Sequence, residues 1–216
     1  MMDTTRIEKI TAFAKARIYE TAAAQPEASH DSEYRWNHTQ RVTQYGRLLA
    51  EAEGADVELC VAACLLHDVA KFDGDGNADG IDHGRVAARI IRPFLREIGY
   101  SVEQVENICY SVAVHVDGKA DFEHPATLEA DIVSDADNVD RFGAYRLLQR
   151  YERNIHDWVN LTGEIEKRLA TLRKYREEQV LETHAGNELF NRQLEFQIEF
   201  HERILAERNL SQPVEM

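Results

Sequence analysis

The stretch VELCVAACLLHDVAK, residues 57–71, most constrains what this chain can become. It holds no glycine or proline, and its apolar residues fall on most of the helical surface rather than on one stripe. A helix of that kind has to be covered nearly all round, so it belongs at the centre of a fold. Asp56 stands where it can cap the helix start. The run ends in an adjacent histidine and aspartate, His67 and Asp68. A carboxylate drawn inward by such a run is costly unless it is paired or faces a cation. Either the doublet lies at a solvated helix end, or something positive sits against it.

The rest of the chain is patterned for helices as well. Ile7, Ile10, Phe13 and Ile18 in residues 6–24 fall close to helical spacing. Residues 38–54 form a second helix, stopped by Gly54. Residues 72–80, FDGDGNADG, are a loop by composition. Residues 82–99 form a further helix containing Pro93, a residue that kinks helices. In residues 101–115, Ser101 and Gln104 have capping-box spacing. The loop 116–125 precedes a helical stretch over 127–150, and two long charged helices follow over 164–180 and 187–208. No strand of convincing length and no internal repeat is visible. The expected fold class is all-α: a compact bundle with two additional long C-terminal helices. Residues 1–216 are read as a single domain, with a core of roughly 25–155 and an extension over 156–216.

Composition excludes several function classes. A formal net charge of -14 argues against nucleic acid and anionic membrane as partners, since both need a basic face. There is no apolar stretch of the ~18 residues that crosses a bilayer. The start, MMDTTRIEKI, has no apolar signal region, so the expected location is cytoplasmic. Cys60, Cys64 and Cys109 form no CxxC pair and read as core thiols. An anionic small molecule stays possible, provided the site is locally positive, and a bound metal would make it so.

Histidines and aspartates gather at predicted helix ends. His38 opens the second helix, His67 and Asp68 close the third, His83 opens the fourth and His115 closes the fifth. Asp135 lies in SDADNVD of the sixth. Each alone has an ordinary reading as a cap or a surface group. As an ordered set of four histidines and two aspartates on successive packed helices, they point to a metal centre. His30, His124, His156, His184 and His201 lie in polar or loop surroundings and read as surface residues.

The order H…HD…H…H…D, with WNHTQRV, LLHDVAK, DHGRVAA and SDADNVDRFGA around it, resembles the HD-domain superfamily of metal-dependent phosphohydrolases, in its branch of small bacterial predicted HD hydrolases. The tail LETHAGNELFNRQLEFQIEFHERILAE is similar to that branch too, so the resemblance spans roughly residues 25 to 210. No GYP-type motif follows the third histidine, which sets cyclic dinucleotides low among substrates.

The resemblance implies one metal held by His38, His67, Asp68 and Asp135. It implies a second held by Asp68, His83 and His115, with Asp68 bridging as the central catalytic carboxylate. Imidazole with carboxylate suits Mn, Fe, Co, Ni or Zn, and carboxylate alone suits Mg. The implied reaction is attack of metal-activated water on a small phosphorylated molecule, a nucleotide by family likeness, in a phosphohydrolase or pyrophosphohydrolase. Lys71, one helical turn beyond the doublet, reads as a phosphate contact or a surface lysine. Arg141 and Arg41 can bind phosphate or pair with Asp137 or Asp140, and Arg41 favours pairing. Asp137 and Asp140 read as groups that orient ligands or cap helices rather than as ligands. Two rival readings are a di-iron oxygenase with the same six ligands and a non-catalytic module stabilised by its metal. The C-terminal helices are also suited to pairing two chains into a homodimer.

Overall fold

A computed structural model describes residues 3–25, 32–73, 83–152 and 156–211. Among them are nine helices and no strand, so the fold is all-α. They are α1 (Thr4–Ala23), α2 (Ser32–Glu53), α3 (Val57–Leu66), α4 (His83–Glu97), α5 (Val102–Val114), α6 (Leu128–Arg141), α7 (Ala144–Tyr151), α8 (Trp158–Glu177) and α9 (His184–Leu210). Residues 1–140 form one compact unit and residues 141–216 a second. Most of the loop expected over 72–80, together with His30, lies outside the described residues. No described helix is long and apolar enough to cross a membrane.

In the first unit α3 packs against α1, α2 and α5, as its all-round apolar sequence requires. Nine of its residues, Glu58 to Leu66, are buried. The charge of Glu58 is met by Arg6 Nη2 at 2.7 Å and by the backbone N–H of Asp3 at 2.8 Å. Asp56 caps the helix, its Oδ1 accepting from the N–H groups of Glu58 (3.0 Å) and Leu59 (3.2 Å). Gly46 lets α2 come close, because a Cβ there would collide with the Sγ of Cys64. All three cysteines are buried free thiols. Ser101 and Gln104 form the reciprocal capping box of α5, and Gly54 ends α2 with φ +74°.

Several boundaries differ from the sequence reading, three of them consequential. Helix α2 starts at Ser32, so His38 lies in its second turn instead of opening it. Helix α3 stops at Leu66, and residues 67–72 continue as tight turns, with Lys71 N–H donating to Asp68 O at 3.0 Å. The stretch 127–150 breaks between α6 and α7 at Phe142 and Gly143. There the Phe142 carbonyl accepts from Gln197 Nε2 at 2.6 Å, a partner outside the helix, and its ring packs on Phe190 with centroids 4.7 Å apart.

In the second unit α8 and α9 pack through buried Leu161, Ile165, Leu169 and Leu172 on one helix and Phe190, Leu194 and Ile198 on the other. His201, expected at the surface, is fully buried here. Its Nδ1–H donates to the Gln197 carbonyl and its Nε2 accepts from Tyr151 OH at 2.6 Å. A buried histidine with both nitrogens engaged by its own unit is a core group, which polar neighbours in sequence do not reveal.

Asp56→Ala removes the cap of the central helix. It should destabilise the protein by about 0.5–2 kcal/mol, read as a lower urea midpoint with unchanged slope; an unmoved midpoint would show that the cap contributes nothing.

Candidate metal centre

Five elements converge on one buried cluster. His38 comes from α2, His67 and Asp68 from the turn after α3, His83 from the start of α4 and His115 from the C-cap of α5, and Asp137 and Asp140 come from α6. His38, His67, Asp68, His83 and His115 are all buried, at 6% exposure or less.

Three of the four imidazoles are oriented through Nδ1. His67 Nδ1–H donates to the Cys64 carbonyl and His115 Nδ1–H to the Val112 carbonyl, each at 2.7 Å. His38 Nδ1–H donates to Asp140 Oδ2 at 2.7 Å, and Asp140 is itself held by Arg41 Nε at 2.6 Å. Arg41 therefore pairs, as its place in the sequence suggested, and Asp140 is an orienter. Fixing Nδ1 as the donor turns Nε2 inward as a lone pair, which is how metal-binding histidines are prepared.

Those inward atoms fall in two groups that share Asp68. On one side, His38 Nε2 lies 3.3 Å from His67 Nε2, and Asp68 Oδ2 lies 3.5 Å and 3.3 Å from them. On the other, His83 Nε2 lies 3.2 Å from His115 Nε2, and Asp68 Oδ1 lies 3.0 Å and 4.0 Å from them. Each triad has the spacing of ligands around one ion. Donors at about 2.1 Å from a common cation lie roughly 3–3.4 Å from one another, and only the 4.0 Å separation of Asp68 from His115 falls well outside that range. With Nδ1–H already given away, neutral His38 and His67 would face lone pair to lone pair, so a proton or a metal between them is required. The donor set fits a divalent ion in each triad.

The field at the cluster agrees. Burial opposes charge on His38, but hydrogen bonds with Asp137, Asp140 and Asp68 outweigh it and raise its pKa well above the usual value, so positive charge at this point is favoured. Burial alone would raise the pKa of Asp68, yet Arg35, His67 and His38 hold it well below the usual carboxylate range. His115, buried and beside His67, is lowered to about 3 and is neutral, as a ligand needs to be.

From α6, Asp137 and Asp140 both contact His38. Asp137 Oδ1 lies 3.2 Å from His38 Nε2, the atom that faces into the first triad. Asp135 is also buried, at 1% exposure. It lies two residues away and so about 200° round the helix from Asp137, whereas Asp140 shares the face of Asp137. The sequence reading took Asp137 and Asp140 as orienters or caps, and their three-residue spacing puts both on the face that meets His38. Arg35 was missed: its Nη1 donates to Asp68 Oδ2. It stands three residues before His38, and only the earlier start of α2 puts both on one helical face.

Lys71 is half-buried in the turn beyond Asp68, and Arg141 is exposed at the last position of α6. The turn is tied to α1 by Arg17, which bonds Asp73 at 2.7 and 2.9 Å, and Gln25, just past the end of that helix, donates to the Phe72 carbonyl. Gly84 is what brings His83 to His115. A Cβ there would lie 2.8 Å from the carbonyls of Val112 and Ala113 and 3.2 Å from His115 Nδ1.

The HD domain sequence model matches residues 35–141. No curated protein matches the chain by sequence. Three solved structures share the fold at low identity. A predicted HD-superfamily hydrolase from an uncultured Thermotogales bacterium is 21% identical, with TM-score 0.63, covering 95% of this chain and 99% of its own. An HD-superfamily hydrolase from Bacillus thuringiensis is 20% identical, with TM-score 0.69 and coverage of 97% and 99%. Bacillus subtilis YpgQ, solved in complex with ADP, is 19% identical, with TM-score 0.61 and coverage of 93% and 96%.

Gly84→Ala should force α4 off the end of α5 and widen the His83–His115 pair. Metal bound at the second triad should weaken about 10–100-fold, as when an outer support of a ligand is lost, while the first triad keeps its ion. Elemental analysis after dialysis against graded free Mn²⁺ reads this directly, and full two-ion loading at wild-type concentration would refute it.

Proposed function

Because this chain carries an HD domain over residues 35–141, we propose that it is a metal-dependent phosphohydrolase acting on a small phosphorylated molecule. The observation that carries the reading is the double triad on one carboxylate: four histidine Nε2 atoms, three of them fixed through Nδ1, and Asp68 offering Oδ2 to one group and Oδ1 to the other. His38, His67 and Asp68 would hold one divalent ion, and Asp68, His83 and His115 a second. The α6 ligand is assigned to Asp137 in place of Asp135, on its 3.2 Å approach to His38 Nε2.

A bound divalent ion supplies Lewis acidity, which brings the pKa of a water toward neutrality and offsets negative charge on phosphoryl oxygens. The chain's own residues do the rest. Asp68 fixes the spacing of the two triads by presenting one oxygen to each. Asp140, held by Arg41, fixes the tautomer of His38. The carbonyls of Cys64 and Val112 do the same for His67 and His115. Lys71, three residues beyond Asp68 in a turn braced by Arg17, is assigned to a phosphate oxygen, where an ammonium favours the charge that develops in phosphoryl transfer. The three cysteines are poor candidates for a nucleophile, since they are buried and burial raises their pKa values.

A nucleotide or pyrophosphate ester is the preferred substrate class. The ADP complex of YpgQ supports it, and an acidic surface of net charge -14 disfavours polymeric nucleic acid. Manganese is the preferred ion for the mixed imidazole and carboxylate set.

The test is a panel of nucleoside mono-, di- and triphosphates and phosphodiesters with Mn²⁺, Mg²⁺, Co²⁺ and Ni²⁺. Chelation should abolish turnover and Mn²⁺ or Co²⁺ should restore it; turnover by metal-free protein would sink the mechanism. Asp68→Ala should lose both ions and all activity. Asp137→Asn should lower metal content at the first triad and reduce turnover by about 10²-fold or more, whereas Asp135→Asn should retain its metal. The opposite ranking would return the ligand role to Asp135.

A further inference from the structure

Arg35 and His38 are three residues apart on α2 and leave the same face. The guanidinium reaches Asp68 through Nη1, and the oxygen it finds is Oδ2. That oxygen lies 3.5 Å from His38 Nε2 and 3.3 Å from His67 Nε2. Arg35 and any divalent ion held by those two histidines therefore draw on the same atom. A doubly charged ion with two imidazoles in place is the stronger claimant, and a flexible side chain can yield where a ligand cage cannot.

The rest of the guanidinium is placed for an anion. Arg35 Nε is buried and makes no hydrogen bond to the described residues. Its side chain keeps 18% exposure beside a carboxylate at 3%, so it stands between the cluster and solvent. Arg41, the other α2 arginine near the cluster, is committed to Asp140 through both Nε and Nη2. Five donors in a planar fork match two oxygens of a phosphoryl group.

Resting on the phosphohydrolase reading, we propose that Arg35 is the phosphoryl-binding arginine of this centre: it yields Asp68 Oδ2 to the ion and turns its guanidinium onto the phosphoryl oxygens beside it. Loading the ion and exposing the anion site are then one event. The same exchange keeps Asp68 paired at every stage, first with a guanidinium and then with a metal.

Two probes separate the parts of this exchange, Mn²⁺ alone and inorganic phosphate on Mn²⁺-loaded protein, both by calorimetry on the full chain. Removing the competitor in Arg35→Gln should tighten Mn²⁺ about tenfold, the size of a typical coupling between ligands. It should weaken phosphate by about 10–100-fold, because charge-assisted bidentate bonds are lost. Arg35→Lys keeps a cation without the fork. It should leave Mn²⁺ affinity near wild type, weaken phosphate by an intermediate factor, and serve as the reporter if the glutamine variant does not fold. Weaker Mn²⁺ binding in Arg35→Gln would make Arg35 an orienter of Asp68 and overturn the exchange. Wild-type and Arg35→Gln proteins sharing one phosphate Kd would overturn the phosphate role alone. Wild-type protein that loads Mn²⁺ but neither binds phosphate nor hydrolyses any ester would instead bring down the phosphohydrolase reading.

Discussion

The carboxylate of Asp68 is 3% exposed, and five side chains face its two oxygens. Arg35, His38 and His67 surround Oδ2, and His83 and His115 surround Oδ1. An unpaired carboxylate in such a place would shed its charge or unfold its surroundings. Here its neighbours are one guanidinium and four imidazole nitrogens, so the charge of Asp68 becomes the centre's organising feature. The helices of the first unit can be understood as ways of delivering those neighbours.

Delivery depends on helix ends and on close approaches. His67 and His115 both sit just past a helix terminus, where the carbonyl three residues back is available to take Nδ1–H. One structural solution therefore serves twice, with Cys64 and Val112 in matching roles. His83 arrives from the other direction, at the first residue of α4, and Gly84 beside it is small enough for α4 to rest on the α5 carbonyls. Gly46 does the same for α2 against α3, which brings His38 to His67. Small residues set the distances between helices, and those distances set the spacing of nitrogen atoms.

Outside the cluster, ion pairs continue the same logic toward the surface. Arg41 holds Asp140, which holds His38. Arg17 of α1 and Gln25 just past its end, both before the residues that match the HD domain, hold the turn after the doublet. The ligands are thus supported at two removes. Loss of an outer partner would loosen the metal sites without touching a ligand.

Much of this was legible in the residues before any coordinates. Residues 57–71 had to be central because no face of that helix is polar. Asp56, Ser101 and Gln104 announced their caps by type and spacing, and of the ordered His38, His67, Asp68, His83, His115 and Asp135 the structure brings the first five into one cluster that could hold metal. What the sequence left open was which way each side chain turns. Asp135, Asp137 and Asp140 are near-equivalent as letters, and helical phase together with the position of α6 brings Asp137 and Asp140 to His38. Arg35 became visible only when α2 proved to begin at Ser32. His201 looked solvated by its neighbours and is buried by α9 packing and by Tyr151, fifty residues away in sequence. Residue type and local spacing determined the helices and the donor types; the pairing of groups distant in the chain decided which carboxylates and arginine meet the cluster and which histidine is buried away from it, because those contacts exist only once helices have docked.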